Sequence, residues 1–291
     1  MSQFDTHIMV DWSGGNDAGP TPKKDAIWAC ICQNGVTQPP VYLRNRQLAE
    51  QWLTDAIETE LSAARRVCMG FDFPFGYPRG FGQAVTGSDD PLALWEWFAT
   101  HIEDSPTANN RCAVASDINA RFEGIGPFWG NPFRAEFEHL PRKGNDRTNR
   151  IFAERRSVEQ SAKGSFTCWQ MSGAGAVGSQ VMMGLPVLHR LCARFADQVS
   201  IWPFETLDRP VAFVEIWPSL VAGAVADQAQ QGEIKDAAQV RVLATCIAAL
   251  DRKGRLAEIL NSGRSAQGEG WILGVGFEAE MAAAARSLVH V

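Results

Sequence analysis

The stretch Ile8-Met9-Val10-Asp11-Trp12-Ser13-Gly14-Gly15 decides how this chain is read. Three apolar residues have the form of a buried strand. Asp11 stands where the apolar run should continue, and Trp-Ser-Gly-Gly then turns the chain. A carboxylate at the end of a buried strand is costly unless a metal, a cation or amide donors compensate it. Two readings follow. Asp11 is the first ligand of a magnesium site, or it caps the turn with its own side-chain oxygens.

A second strand of the same kind favours the first reading. In RVCMGFDFPFGYP (66–78), Val67, Cys68, Met69 and Phe71 lead into Asp72 and a turn rich in proline and glycine. Between the two lie DAIWACICQ (25–33), an Asn34-Gly35 hairpin signal and VTQPPVYL (36–43), whose two prolines suit an edge strand. The stretch 44–65 is a helix, with Leu48, Trp52, Leu53, Ile57 and Leu61 on one face. A helix joining two strands favours a crossover and parallel pairing. Asp11 and Asp72 then share the carboxyl edge of the sheet, where open α/β sheets bind ligands. Two neighbouring carboxylates repel unless a cation lies between them, and magnesium accepts hard oxygen ligands.

PVAFVEIWPSL (210–220) is a third strand of this type, ending at Glu215. If it is parallel to the others, Glu215 joins the same edge. Asp236 opens the helix DAAQVRVLATCIAALDR (236–252), either as its cap or as a fourth acid of the site.

The 291 residues make one large domain, 1–291, with 45% hydrophobic residues and ten tryptophans to build a core. Net charge is −6, so a globally basic nucleic-acid binder is not indicated. No apolar run is long enough to span a membrane. The seven cysteines are scattered and lie mostly in apolar runs, and MSQFDTH carries no export signal. The expectation is a cytoplasmic protein with reduced thiols.

After a helix over 90–104 the pattern dissolves, and 105–175 reads as an inserted lid. Over 139–163 seven basic residues face three acidic ones. This is either a cationic flap over a phosphate-bearing substrate or a solvated loop paired with acids elsewhere. On the first reading Arg150, Arg155 and Arg156 grip phosphate, together with Ser13 of the opening turn. Gly173, Gly175 and Gly178 spell G-x-G-x-x-G, but Ser179 and Gln180 stand where a P-loop needs Lys and Ser or Thr. The glycines either let the start of the helix over 176–195 pack closely or leave amides free for an anion. Extended segments over 199–205 and 268–276 and a helix over 277–289 complete the expected elements.

These motifs, in this order, resemble the family called domain of unknown function 429, on a ribonuclease H-like fold. Val-Asp-Trp-Ser-Gly-Gly with Asp11 matches the family's first-strand acid, Phe-Asp-Phe-Pro with Asp72 its Asp-x-Pro segment, and Glu-Ile-Trp-Pro with Glu215 its Glu-x-x-Pro segment. Lys-Asp-Ala-Ala with Asp236 matches the late acidic helix only loosely. The resemblance covers about 1–78 and 198–276. It implies a mixed five-stranded sheet with helices on both faces, and leaves the long irregular insertion unexplained. It also implies a Mg2+- or Mn2+-dependent phosphodiester hydrolase, with metal at Asp11, Asp72 and Glu215, acting on a nucleotide or single-stranded nucleic acid. Similar chains are labelled as molybdopterin guanine dinucleotide synthesis proteins, which leaves nucleotide or pterin-nucleotide processing as an alternative. A non-catalytic binding module is a second alternative.

Overall fold

The strand that ends at Asp11 lies inside a mixed sheet. The computed structural model describes residues 2–262 and 268–286. Its strands are β1 (Thr6–Asp11), β2 (Ile27–Gln33), β3 (Val36–Thr37), β4 (Val41–Leu43), β5 (Val67–Phe71), β6 (Val199–Ile201) and β7 (Val211–Glu215). Its helices are α1 (Arg46–Ser62), α2 (Phe81–Thr86), α3 (Pro91–His101), α4 (Arg111–Asn119), α5 (Ser157–Ser161), α6 (Val177–Arg194), α7 (Ala222–Gln228), α8 (Lys235–Arg252), α9 (Leu256–Ser262) and α10 (Glu278–Arg286). The expected helix over 277–289 thus appears as α10, and 287–289 lie outside the described residues.

The strand order is β3-β2-β1-β5-β7-β6, with β4 also paired to β2. β1 and β2 are antiparallel. β1, β5, β7 and β6 run parallel to one another. The chain is therefore α/β, with seven strands rather than five. Two differences account for the count. The expected strand over 36–43 is broken in two at Pro39 and Pro40, which offer no amide hydrogen to a ladder. The short β6 extends the sheet beyond β7. Asn34 and Gly35 both have positive φ, as the hairpin between β2 and β3 demands. The segment 268–276 is no strand; it touches the sheet through a single bridge from Ile272 to Glu215.

Side chains alternate along each strand, and the two sets join two separate cores. Ile8, Val10, Met69, Phe71 and Phe213 pack with residues of α1, α3, α4 and α6. Met9, Trp28, Cys68, Ala212 and Val214 pack with residues of α7, α8, α9 and α10. This alternation fixes which way each strand-end acid points.

The stretch 105–175 carries more structure than its sequence pattern suggests. It contains α4 and α5, and Phe128, Leu140, Cys168 and Trp169 belong to the first core. The Trp169 ring meets Tyr77, Phe81, Phe128 and Phe152 at centroid distances of 5.0–6.1 Å. Burying rings of this size binds the segment firmly to the sheet domain. α4 was missed because Asp, Asn and Ser interrupt its short apolar face.

Candidate functional site

Parallel pairing puts Val10 opposite Phe71, and the Asp72 amide donates to the Val10 carbonyl at 3.0 Å. Asp11 and Asp72 thus end neighbouring strands side by side. Both are half-buried and both line one cleft of about 820 Å³. Asp236, in the first turn of α8, lines it too. Among the described residues, no hydrogen-bond donor reaches the carboxylate of Asp11 or Asp72. Burial raises the Asp11 pKa well above the ordinary carboxylate value, helped by the charges of Asp72, Asp236 and Asp25. Asp72 is pushed up to about 7 by burial, then by Glu215 and Asp236. Burial also raises Asp236, against the Asp25 amide, which donates to its Oδ2 at 2.7 Å. That bond replaces the expected helix cap, since Asp236 makes no capping bond to its own helix.

Glu215 behaves differently. It pairs with Phe71, one residue before Asp72, so by strand alternation it shares the face of Phe71 and Phe213, away from that of Asp11 and Asp72. There it meets Arg156, which is 0% exposed. Arg156 Nη1 and Nη2 donate to the two Glu215 oxygens at 2.8 and 2.6 Å. The Phe75 amide adds a bond to Oε2 at 3.0 Å. Arg156 Nε also donates to Glu159 at 2.9 Å, and Nη1 to the Glu269 carbonyl at 2.9 Å. Burial works against the Arg156 charge, and Glu215 and Glu159 outweigh it. Burial likewise raises Glu215, while Arg156 pulls it back down.

This corrects two expectations. Arg156 does not grip a substrate phosphate, because its donors are taken by buried protein groups. Glu215 is not a free metal ligand like the aspartates, because both its oxygens already accept charge-assisted hydrogen bonds. The other basic residues of the stretch are also placed structurally. Arg155 donates to the Ser165 carbonyl at 2.6 Å, and neither it nor the exposed Arg150 lines the cleft. Arg147 lies over the Trp129 ring and pairs with Glu154. The basic flap is thus largely a set of structural ties to acids and carbonyls.

Ser13 does line the cleft, with its hydroxyl bonded to the Asp25 carbonyl at 3.0 Å. The turn that carries it is held by a residue that the sequence did not single out. Arg46 is buried, forks onto Asp104 at 2.5–2.6 Å and donates to the carbonyls of Ser13 and Gly15. Arg111 and Lys235 also line the cleft and were missed. An arginine opening a helix inside an irregular stretch carries no signature in one sequence.

The glycine stretch forms the opposite wall, from Met171 to Val177. Gly178 packs closely: a side-chain carbon there would come within 2.6 Å of the Cys168 carbonyl. Gly14, next to the Asp11 turn, is as tight against Ser179 at 2.8 Å. These glycines let α6 press onto the strand-end turn, and Gln180 fastens it with a 2.7 Å bond to the Trp12 carbonyl.

Among the described residues, no three His, Cys, Asp or Glu side chains are grouped so as to enclose a metal. Asp11 and Asp72 remain as a pair without donors. Such a pair fits magnesium, which is commonly bound through one or two carboxylates and completes its shell with water and substrate phosphate. No described helix is long and apolar enough to cross a membrane. In comparison with known proteins, the chain matches no family model, no curated protein and no solved structure.

Proposed function

We propose that this protein is a divalent-metal-dependent phosphodiester hydrolase, built on a ribonuclease H-like sheet, that acts on a nucleotide or a single-stranded nucleic-acid end. One observation carries the reading. Two aspartates end adjacent parallel strands, share a cleft, have pKa values raised by burial and neighbouring acids, and have no donor among the described residues. A fold keeps such an unfavourable pair where a cation is to be held. The order of β1, β2, β5 and β7, with helix residues packed on both sets of strand side chains, agrees with the resemblance to domain of unknown function 429.

Asp11 and Asp72 would hold Mg2+ or Mn2+, with Asp236 beside them. The ion, when bound, supplies Lewis-acid stabilisation of phosphoryl oxygens and a more acidic water. The chain's own residues do the rest. Arg46 fixes the turn after Asp11, the α6 start closes the far wall, and Arg156 keeps Glu215 from competing for the ion. The net charge of −6 and the structural use of the basic stretch favour a small ligand over a long duplex.

Calorimetric titration of Mn2+ and Mg2+ tests this on the wild type and on Asp11→Asn/Asp72→Asn, with folding checked by circular dichroism. Saturable binding that disappears in the folded double variant supports the reading. Absence of binding to the wild type at millimolar metal, with or without nucleotide, overturns it.

A further inference from the structure

Arg111 is set apart from the other arginines that line or flank the cleft. Its Nε donates to Ser179 Oγ at 2.9 Å and its Nη1 to Asn109 Oδ1 at 2.6 Å. Nη2 has no acceptor, and no carboxylate pairs with Arg111, among the described residues. Most arginines of this chain that touch the core are paired: Arg46 with Asp104, Arg156 with Glu215, Arg241 with Glu233. A half-buried guanidinium without a counter-ion, oriented by two neutral acceptors, is arranged to receive an anion. Ser179 Oγ in turn donates to the Met171 carbonyl at 2.5 Å, which fixes the rotor that Arg111 leans on. Ser179 touches Gly14, three residues beyond Asp11, so Arg111 leans on the residue that packs against the turn after Asp11.

Phe166 lines the same cleft and is 52% exposed. It is one of few large apolar side chains left open to solvent. One side of its ring lies against Gly175, where a side-chain carbon would overlap the ring. Gly175 also has φ +78, a conformation that glycine adopts freely. The ring is therefore supported on one side by backbone and open on the other, as an aromatic platform is. The indole N–H of Trp12, buried in the cleft lining, also has no acceptor among the described residues.

We infer that the cleft lined by Asp11, Arg111 and Phe166 takes a nucleoside monophosphate unit in two parts, its phosphate on Arg111 and its base stacked on Phe166. This rests on the phosphate-handling role proposed above and adds what the ligand must be: an aromatic base on a phosphorylated sugar, whether free or at the end of a strand. The cleft volume of about 820 Å³ holds one such unit with room to spare. Stacking tolerates any base, so the pair of contacts selects nucleotides as a class rather than one sequence.

The test compares adenosine 5′-monophosphate with ribose 5-phosphate, by calorimetry in the presence of Mg2+. The wild type is expected to bind the nucleotide about tenfold more tightly than the sugar phosphate. Phe166→Ala is expected to remove that preference and leave ribose 5-phosphate binding within about twofold, and Phe166→Trp to restore it. Arg111→Met is expected to weaken both ligands by about tenfold or more, with Arg111→Lys intermediate. Because Phe166 is exposed, its replacement by alanine leaves the core intact. Equal affinities in the wild type, an unchanged preference in Phe166→Ala, or no binding of either ligand at millimolar concentration would each overturn the inference. Metal binding that survives any of these outcomes leaves the hydrolase reading standing. A nucleotide preference without metal binding sinks the hydrolase and keeps the nucleotide site.

Discussion

Asp72 and Glu215 end neighbouring parallel strands, one residue apart in register, yet their surroundings are opposite. Glu215 faces a fully buried arginine that fills both its oxygens, with a backbone amide added. Asp72, like Asp11 beside it, faces an open cleft with no donor among the described residues. One half of the sheet edge has its charge neutralised inside the fold, and the other half leaves charge in want of a partner. The neutralised half holds the inserted stretch to the sheet, since Arg156 joins β7 to α5 and to the Glu269 carbonyl. The bare half is where the proposed metal would be held. An acid at the same kind of strand end is thus paired or left without a donor according to what the opposite element supplies.

The largest break in this contrast comes from Arg156→Met, which strands Glu215 and Glu159 as buried charges. A loss of about 3–5 kcal/mol in unfolding free energy is expected by urea denaturation. A loss no larger than that from a surface arginine would remove the structural role given to the pair. Glu215→Gln keeps the shape and lowers the charge on one side. It is expected to cost about 2–3 kcal/mol in the same measurement.

Asp72→Asn is expected to do the reverse. In the metal-free protein it should stabilise the fold by about 1–2 kcal/mol at pH 8, with the gain shrinking to about a third near pH 5 and vanishing below about pH 4. The sign follows from protons bound. Folded Asp72 keeps its proton up to about 7, while the unfolded chain gives it up near 3.8. Between those values the folded state binds more protons, so wild-type stability falls as pH rises from about 4 to about 7 and then levels off. Saturating Mg2+ should flatten this slope, because the ion favours the charged pair. Denaturation at pH 5 and pH 8, with and without metal, measures all three effects. Smallest of all, Arg150→Ala should change stability by less than about 0.5 kcal/mol and leave nucleotide affinity unchanged. A tenfold fall in affinity would return phosphate binding to the basic stretch.

Much of the sheet is legible in the residues. The Asn34-Gly35 hairpin, the crossover from β1 through α1 to β5, and the strand ends at Asp11, Asp72 and Glu215 all follow from local pattern and turn chemistry. So does α6, found at Val177–Arg194 against an expected 176–195. Of the glycines at its start, Gly178 is closely packed against the Cys168 and Gln170 carbonyls. The stretch 105–175 was not legible. Its apolar residues include aromatic rings placed to meet Tyr77 and Phe81 from elsewhere in the chain, and long-range contacts of that kind leave no period of 2 or 3.6.

By itself the sequence determined where strands stop, because an acid followed by glycine or proline ends an apolar run whatever lies around it. It determined equally that Asp11 and Asp72 would share one edge, since the crossover helix makes their strands parallel. Only the tertiary structure decided what each acid does there. Although both line the one cleft, a one-residue offset in register set Glu215 on the strand face opposite that of Asp72. A buried arginine from the inserted stretch then met it, while Arg111 and Phe166 came to the open cleft. Side-chain direction in a sheet has a period of two, so a single step in pairing exchanges a structural partner for an open one, and pairing is a property of two strands together.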